Sequence, residues 1–346
     1  MRSIKRFLGA AVLAAVVLTG CGINKKEVLV NINKGSDEIS LGYYNFAARY
    51  QQSVLDVNYG SMMGEDPWKR DMGGSLGTME DSVKESALNS IEEAYLCEAH
   101  RKDYDISLSD KEKENIEKAA KEFMEENSKK ALKAMGATTE YVERFLTLSY
   151  YREKVSAKVK EEAKVSVPES EAVQSTISYV LFSTEPAESE TEETTSLSRE
   201  EIDQKKAEAE EFLAYGDFDK ALGESGLEAQ EYTYTASMDP KEDTTLGAAV
   251  IEASQVLKDG EMSSAVYVEN KGYYVIKMKA ANDSEATEEK YKELETSQRD
   301  SHYKEVLEGW KSDITWKVNK KALSKVKFDD IFEMSEEMEK ELQSGE

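Results

Sequence analysis

The residues between 287 and 318 predict a helix and a strand that have no apolar partner nearby in the sequence. Residues 287–312 place apolar side chains along one helical stripe, and residues 314–318 alternate between apolar and polar side chains. One helix and one strand cannot bury both of their apolar faces alone. We therefore expect this segment to fold against the other end of the chain.

The N-terminal half predicts elements that can supply the missing partner. Residues 28–33 alternate like a half-buried strand. The capping box Ser109-Asp-Lys-Glu112 predicts the start of a helix. Glycines between 58 and 78 break every periodicity and predict a loop. Helical periodicity then predicts three long helices, over residues 78–103, 109–135 and 139–163.

The middle of the chain has a different pattern, in which short apolar runs alternate with helical stretches. Glu, Thr and Ser fill residues 183–198 without apolar periodicity, which predicts a disordered insertion inside a domain. A tight turn is predicted at Asn270-Lys-Gly272. The strands are expected at residues 177–182, 230–235, 264–268 and 273–278, and the helices at 199–215 and 248–257.

These patterns predict an α+β fold, in which a helical domain built from both chain ends receives a small inserted domain of antiparallel sheet flanked by helices. The expected divisions are a signal peptide at 1–20, a tether at 21–27, the helical domain at 28–170, the inserted domain at 172–282, a completing helix and strand at 283–325, and an acidic tail at 326–346.

Composition excludes several classes of function. The chain has 346 residues with 70 acidic and 45 basic side chains, a formal net charge of -25. Nucleic-acid phosphates would be repelled, so DNA and RNA are not expected as partners. Two histidines and two cysteines are too few for a His/Cys metal cage. We predict neither a metal nor a cofactor.

The first residues have the order of an export signal. Arg2, Lys5 and Arg6 precede an apolar run from Phe7 to Leu18, which at 12 residues is too short to span a bilayer. Leu18-Thr-Gly-Cys21 resembles the lipobox of bacterial lipoproteins, which implies a lipid on Cys21 and a location on the extracytoplasmic face of the cell membrane. An ordinary signal peptide with an accidental cysteine is the alternative.

Four short motifs occur in order within residues 176–279, and together they resemble those of parvulin-type prolyl isomerases. The whole layout is similar to the PrsA-type foldase lipoproteins and their SurA-like relatives. That resemblance implies a lipid-anchored foldase or chaperone whose partners are unfolded or partly folded exported polypeptides. The motifs are Gly216-Asp-Phe-Asp-Lys-Ala-Leu222, Leu246-Gly247, Leu257-Lys-Asp-Gly-Glu-Met-Ser263 and Gly272-Tyr-Tyr-Val-Ile-Lys277.

The chain departs from that family at the positions that matter for catalysis. Tyr179 and Tyr274 stand where parvulins place a histidine in the first and last strands, and no clear counterpart of the family's Asp or Cys follows Leu222. One hypothesis is that the two tyrosines catalyse isomerisation in place of histidine. The other is that they pair across adjacent strands as a hydrogen-bonded core couple, which leaves the domain weak or inactive as an isomerase.

Apolar side chains in the loop between 58 and 78 are candidates for binding clients. Exposed Met and Trp form adaptable surfaces for varied partners. The alternative is that they pack the loop onto the helices. The candidates are Met62, Met63, Trp68 and Met72. A solute-binding lipoprotein, with one ligand pocket, remains the rival function of another class.

Overall fold

A computed structural model describes residues 13–16, 23–74, 77–185 and 197–334. The chain divides into two compact units: a helical unit of residues 1–163 and 300–346, and a sheet unit of residues 164–299. The predicted α+β class, with a helical domain made from both chain ends and a small inserted sheet domain, is confirmed. Cys21 and most of the predicted acidic insertion lie outside the described residues.

The helical unit begins with short strands and continues with long helices. Its N-terminal elements are β1 (Leu13–Val16), β2 (Val28–Ile32), β3 (Asp37–Ser40), α1 (Leu41–Met63), a 3-10 turn (Pro67–Lys69), α2 (Met79–His100), α3 (Asp110–Glu126), α4 (Lys129–Met135) and α5 (Thr139–Glu161). The C-terminal part adds the second half of α10 (Ser284–Ser312), then β8 (Trp316–Val318), α11 (Lys320–Leu323) and β9 (Ile331–Met334).

The two ends of the chain meet in one sheet, as the unpartnered helix and strand predict. β8 pairs antiparallel with β2, with Val30 opposite Val318 and Ile32 opposite Trp316. Leu29, Val30 and Ile32 are fully buried. A second, two-stranded pairing joins β1 to β9. Among the described residues, no helix is both long enough and apolar enough to cross a membrane.

Three sequence predictions differ from the structure. The predicted helix over 109–135 is two helices, because the Ser128 side chain accepts a hydrogen bond from the Ala131 amide and caps a new helix. The loop predicted to start at residue 58 starts later in the structure. Helix α1 continues through Gly60 to Met63, and Gly64, with a φ of 75°, ends it. The predicted acidic tail begins with a segment, 326–334, that is packed on the helical unit.

The sheet unit is one antiparallel sheet with helices on both faces. Its strand order is β5-β4-β7-β6. One face packs against α9 and the other against α7 and α8. The elements are α6 (Glu169–Ala172), β4 (Gln174–Ser183), α7 (Arg199–Ala214), α8 (Phe218–Ser225), β5 (Gln230–Thr235), a 3-10 turn (Pro240–Glu242), α9 (Ala248–Gln255), β6 (Val266–Val268), β7 (Gly272–Asp283) and the start of α10.

Gly272 starts β7 in a conformation that a side chain would strain. Its φ is 133°, and a Cβ there would lie 2.2 Å from the carbonyl oxygen of Phe182. We expect Gly272→Ala to destabilise the sheet unit by about 1–3 kcal/mol. Hydrogen exchange of the β7 amides checks this. Gly223→Ala, in α8 where a Cβ meets nothing within 4 Å, is the control and should leave protection unchanged or raised.

Candidate functional site

The two tyrosines at the family's histidine positions lie on neighbouring central strands. β4 and β7 pair so that Leu181 is opposite Tyr274 and Tyr179 is opposite Ile276. Strand alternation therefore puts both tyrosines on one face, as diagonal neighbours. Their ring centroids are 5.6 Å apart, with the planes tilted by 47°. Both residues are buried, within the apolar cluster that covers this face.

The predicted hydrogen bond between these tyrosines is wrong. The Tyr179 hydroxyl donates to Gln230 Oε1 at 2.6 Å, across the β4–β5 pair. Among the described residues, no hydrogen bond to the Tyr274 hydroxyl is found. The two residues therefore form a ring contact rather than a bonded couple, because their diagonal register directs the hydroxyls to different neighbours.

A carboxylate reaches the site from the loop after β5. The Tyr232 hydroxyl donates to Asp243 Oδ1 at 2.6 Å. Asp243 Oδ2 accepts hydrogen bonds from the amides of Leu246 and Gly247 at 2.7 and 2.6 Å. The Leu246-Gly247 motif thus holds the carboxylate in place through its main chain. Sequence analysis missed Gln230, Tyr232 and Asp243, although Asp243 at three residues before Leu246 has the spacing of an Asx cap.

The protonation states of the site follow from burial. Burial raises the pKa of Tyr274 to about 12, with the nearby Tyr179 and acidic groups adding to the effect. Burial also raises the pKa of Tyr179. Burial opposes ionisation of Asp243, but hydrogen bonds from Tyr232, Gly247 and Leu246 outweigh it and lower its pKa. At neutral pH the site therefore presents neutral hydroxyl groups beside a fixed carboxylate.

The remaining motifs shape the sheet rather than the site. Asp217 caps α8 by accepting a hydrogen bond from the Lys220 amide at 2.8 Å. The Ser263 amide donates to the Ile276 carbonyl at 2.8 Å, and the Ile276 amide donates to Ser263 Oγ at 3.0 Å. The two bonds of Ser263 hold β7, the strand that carries Tyr274. Within the described residues, no group of three or more His, Cys, Asp and Glu side chains lies close enough to hold a metal ion.

We expect the loss of stability to differ between the two variants that remove a tyrosine hydroxyl group. Tyr179→Phe breaks the bond to Gln230 and should cost about 1 kcal/mol of stability. Tyr274→Phe removes a hydroxyl without a bonded partner among the described residues and should cost less. We expect wild type and both variants to isomerise a proline peptide near the uncatalysed rate in a coupled assay. Robust turnover by wild type that Tyr274→Phe removes would contradict this expectation.

The four candidate client-binding residues divide into two buried and two exposed side chains of the helical unit. Met63 and Trp68 are buried, and Trp68 Nε1 donates to Asp56 Oδ1 at 3.0 Å. Met62 is 82% exposed and Met72 47% exposed. Val54 and Tyr59 are further exposed apolar side chains of α1.

The sheet unit therefore presents neutral hydroxyl groups beside a carboxylate in an apolar setting, and its described strands contain no histidine. Solved structures similar to this chain include SurA-like chaperones and PrsA foldases. One belongs to the structurally related SurA-like chaperones PEB4 and Cj1289 of Campylobacter jejuni, with 13% identity, a TM-score of 0.30, and coverage of 84% of this chain and 98% of that one.

Two other similar structures are foldase proteins. PrsA of Lactococcus lactis is 14% identical, with a TM-score of 0.34 and coverage of 87% of this chain and 97% of its own. PrsA of Streptococcus pneumoniae is 14% identical, with a TM-score of 0.31 and coverage of 74% and 98%. No protein-family model and no curated protein matches the chain.

Proposed function

We propose that this protein is an extracytoplasmic, lipid-anchored folding helper that holds unfolded exported polypeptides, and that its parvulin-like sheet unit is weak or inactive as a prolyl isomerase. The observation that carries the proposal is the sheet unit: four motif segments, in family order, lie around one antiparallel sheet, at α8, before α9, before β6 and in β7, and both histidine positions hold tyrosines whose rings are in contact.

The chemistry of the site supports weak isomerase activity. Prolyl isomerisation crosses a barrier of about 20 kcal/mol and needs an apolar grip on proline together with groups that stabilise a twisted amide. The Tyr179 hydroxyl is already bonded to Gln230, and Tyr232 to Asp243. These partners compete with a substrate amide for the same hydroxyl groups. Tyrosine also cannot titrate near neutral pH as imidazole does.

Client binding is assigned to the exposed apolar surface of the helical unit. Val54, Tyr59, Met62 and Met72 are large, apolar and solvent-facing. Methionine side chains adapt to partners of different shape, which suits the binding of many unfolded sequences. The net charge of -25 adds an attraction for cationic segments of clients.

Suppression of aggregation tests the folding-helper function. At stoichiometric amounts, the chain should keep a denatured secreted protein from aggregating as denaturant is diluted. The double variant Met62→Ser, Met72→Ser should suppress less. Val256→Ser removes a side chain that is 79% exposed in the sheet unit and is the matched control. Absence of suppression, together with tight binding of one small solute, would favour a solute-binding lipoprotein instead.

The lipid anchor is proposed on Cys21, from the lipobox-like sequence before it. Anionic headgroups repel a body of this charge, so lipid has to supply the attachment. We expect Cys21→Ala to abolish metabolic palmitate labelling and to release the protein from membranes. Cys97→Ala removes the other cysteine, which is buried, and should leave labelling unchanged. Labelling that persists in Cys21→Ala would contradict the anchor.

A further inference from the structure

The C-terminal residues 326–332 lie on the helical unit with alternating burial. Val326, Phe328 and Phe332 are 0%, 5% and 1% exposed, whereas Lys327, Asp329 and Ile331 face solvent. This alternation is typical of an extended chain with one buried face. Its last two residues are the first two residues of β9 (Ile331–Met334).

Polar side chains of α1 and α2 bind the main chain of this segment. We call these five side chains, Arg49, Gln52, Asp56, Glu80 and Lys84, the main-chain groove. Three side chains donate hydrogen bonds to main-chain carbonyls: Arg49 Nη1 to Lys327 at 3.0 Å, Gln52 Nε2 to Asp330 at 2.7 Å, and Lys84 Nζ to Val326 at 3.3 Å. Two carboxylates accept hydrogen bonds from main-chain amides: Glu80 Oε2 from Phe328 at 3.0 Å and Asp56 Oδ2 from Phe332 at 3.1 Å.

The groove is unusual because four of its five polar side chains, all except Glu80, are buried on helix faces. Arg49, Gln52 and Asp56 follow one another at i, i+3 and i+7 on α1, and each is less than a tenth exposed. Buried polar groups are costly unless they are hydrogen-bonded. Here much of that bonding comes from the backbone of a single extended segment. Main-chain hydrogen bonds do not depend on the side chains of the bound sequence.

Side-chain contacts add a preference for particular residues. The Arg49 guanidinium carbon lies 5.6 and 5.0 Å from the ring centres of Phe328 and Phe332. Trp68 contacts Phe328 edge to face, with ring centres 5.1 Å apart. Arg49 Nη2 also pairs with Asp330 Oδ2 at 2.5 Å. The contacts favour apolar residues at the first, third and seventh positions and an acidic residue at the fifth.

The chain's own segment is an imperfect occupant. Asp330 Oδ1 is buried and has no hydrogen-bond partner among the described residues. An unsatisfied buried acceptor weakens the bound state. A chain that places its carboxylate differently can therefore compete for the groove.

We propose that the main-chain groove is a binding site for extended client segments with the pattern apolar-x-apolar-x-acidic-x-apolar, and that residues 326–332 occupy it in cis. The proposal rests on the folding-helper function, and it identifies the side chains that would bind the client polypeptide. The groove would be a second client-binding site. It binds main chain through polar groups, whereas the exposed side chains proposed above to bind clients, such as Met62, are apolar.

A fluorescent peptide with the sequence of residues 324–334 tests the site by anisotropy. In the wild-type full chain, the cis segment competes at an effective concentration on the order of millimolar, so the peptide should bind weakly. The variant Phe328→Ser, Phe332→Ser should bind the peptide at least about tenfold tighter, because its own segment no longer fills the groove. Adding Arg49→Gln to that variant should remove the gain.

Two controls keep the test decisive. A peptide of the same composition in scrambled order should bind no better to the variant than to wild type. If the double variant unfolds, Asp330→Lys is the alternative, since it replaces the ion pair with repulsion at a side chain that is 14% exposed. A folded variant that binds the peptide no tighter than wild type overturns the proposal and leaves a purely structural contact.

The outcome separates this proposal from the proposed function. Peptide binding to the variant, without any suppression of aggregation by the wild type or the variant, would contradict the folding-helper function. It would also contradict the proposal that clients bind the groove. Suppression of aggregation without peptide binding would support the folding helper and overturn the groove alone.

Discussion

Arg49→Met should lower the free energy of unfolding of the helical unit by about 3–5 kcal/mol, because it removes a buried charge and leaves the Asp330 carboxylate, whose side chain is only 14% exposed, without its counter-charge. Arg49 is 1% exposed and pairs with Asp330 at 2.5 Å. Its Nη1 also donates to Gln52 Oε1 at 2.6 Å. Methionine fills similar volume, so most of the effect comes from lost charge and hydrogen bonds rather than from a cavity.

A second arginine provides a matched control for this prediction. Arg144 makes two bonds to Glu98, at 2.6 and 2.7 Å, but its side chain is 37% exposed. Arg144→Met should therefore cost no more than about 1 kcal/mol. All three tryptophans, Trp68, Trp310 and Trp316, belong to the helical unit, so their fluorescence in urea reports on that unit. Equal losses for the two variants would contradict the prediction.

Phe46→Ala should cost about 3–5 kcal/mol, because it removes a fully buried ring and leaves a cavity. Phe46 lies on α1 and contacts the rings of Phe123 in α3 and Phe145 in α5, with centroids 6.2 and 6.1 Å away. Its ring therefore connects α1, α3 and α5, which are far apart in the sequence. Urea unfolding followed by tryptophan fluorescence measures the loss.

The control for Phe46 lies on the same helix. Tyr59 is 53% exposed, so Tyr59→Ala should change stability by no more than about 0.5 kcal/mol. Phe46→Leu, which keeps part of the apolar volume, should fall between the two. A cost for Phe46→Ala below that of Phe46→Leu would show that the three helices do not depend on this ring.

The sequence predicted those parts of the fold that local patterns determine. The strand near 314–318 had no partner within its own segment, and β8 pairs with β2 at the opposite end of the chain. The turn at Asn270-Lys-Gly272 was predicted from residues that accept positive φ, and Asn270 and Gly272 have φ of 61° and 133°. These features follow from amphipathicity and turn chemistry, which act over a few residues.

Contacts between distant residues were not predictable in the same way. Arg49, Gln52 and Asp56 have the spacing of a solvated polar helix face, yet they are buried beneath residues 326–332. Nothing local in the sequence distinguishes a polar face that meets water from one that meets a peptide backbone. The direction of the Tyr179 hydroxyl depended likewise on the β4–β5 register, which brings Gln230 opposite it.

Direct binding of an unfolded polypeptide tests the central claim. A secreted protein that is reduced and alkylated stays unfolded, and the same protein with its disulfides intact provides the native form. We predict saturable binding of the unfolded form by the full chain in isothermal titration, and no binding of the native form. Equal binding of both forms, or of neither, would contradict the proposal that this chain is a folding helper.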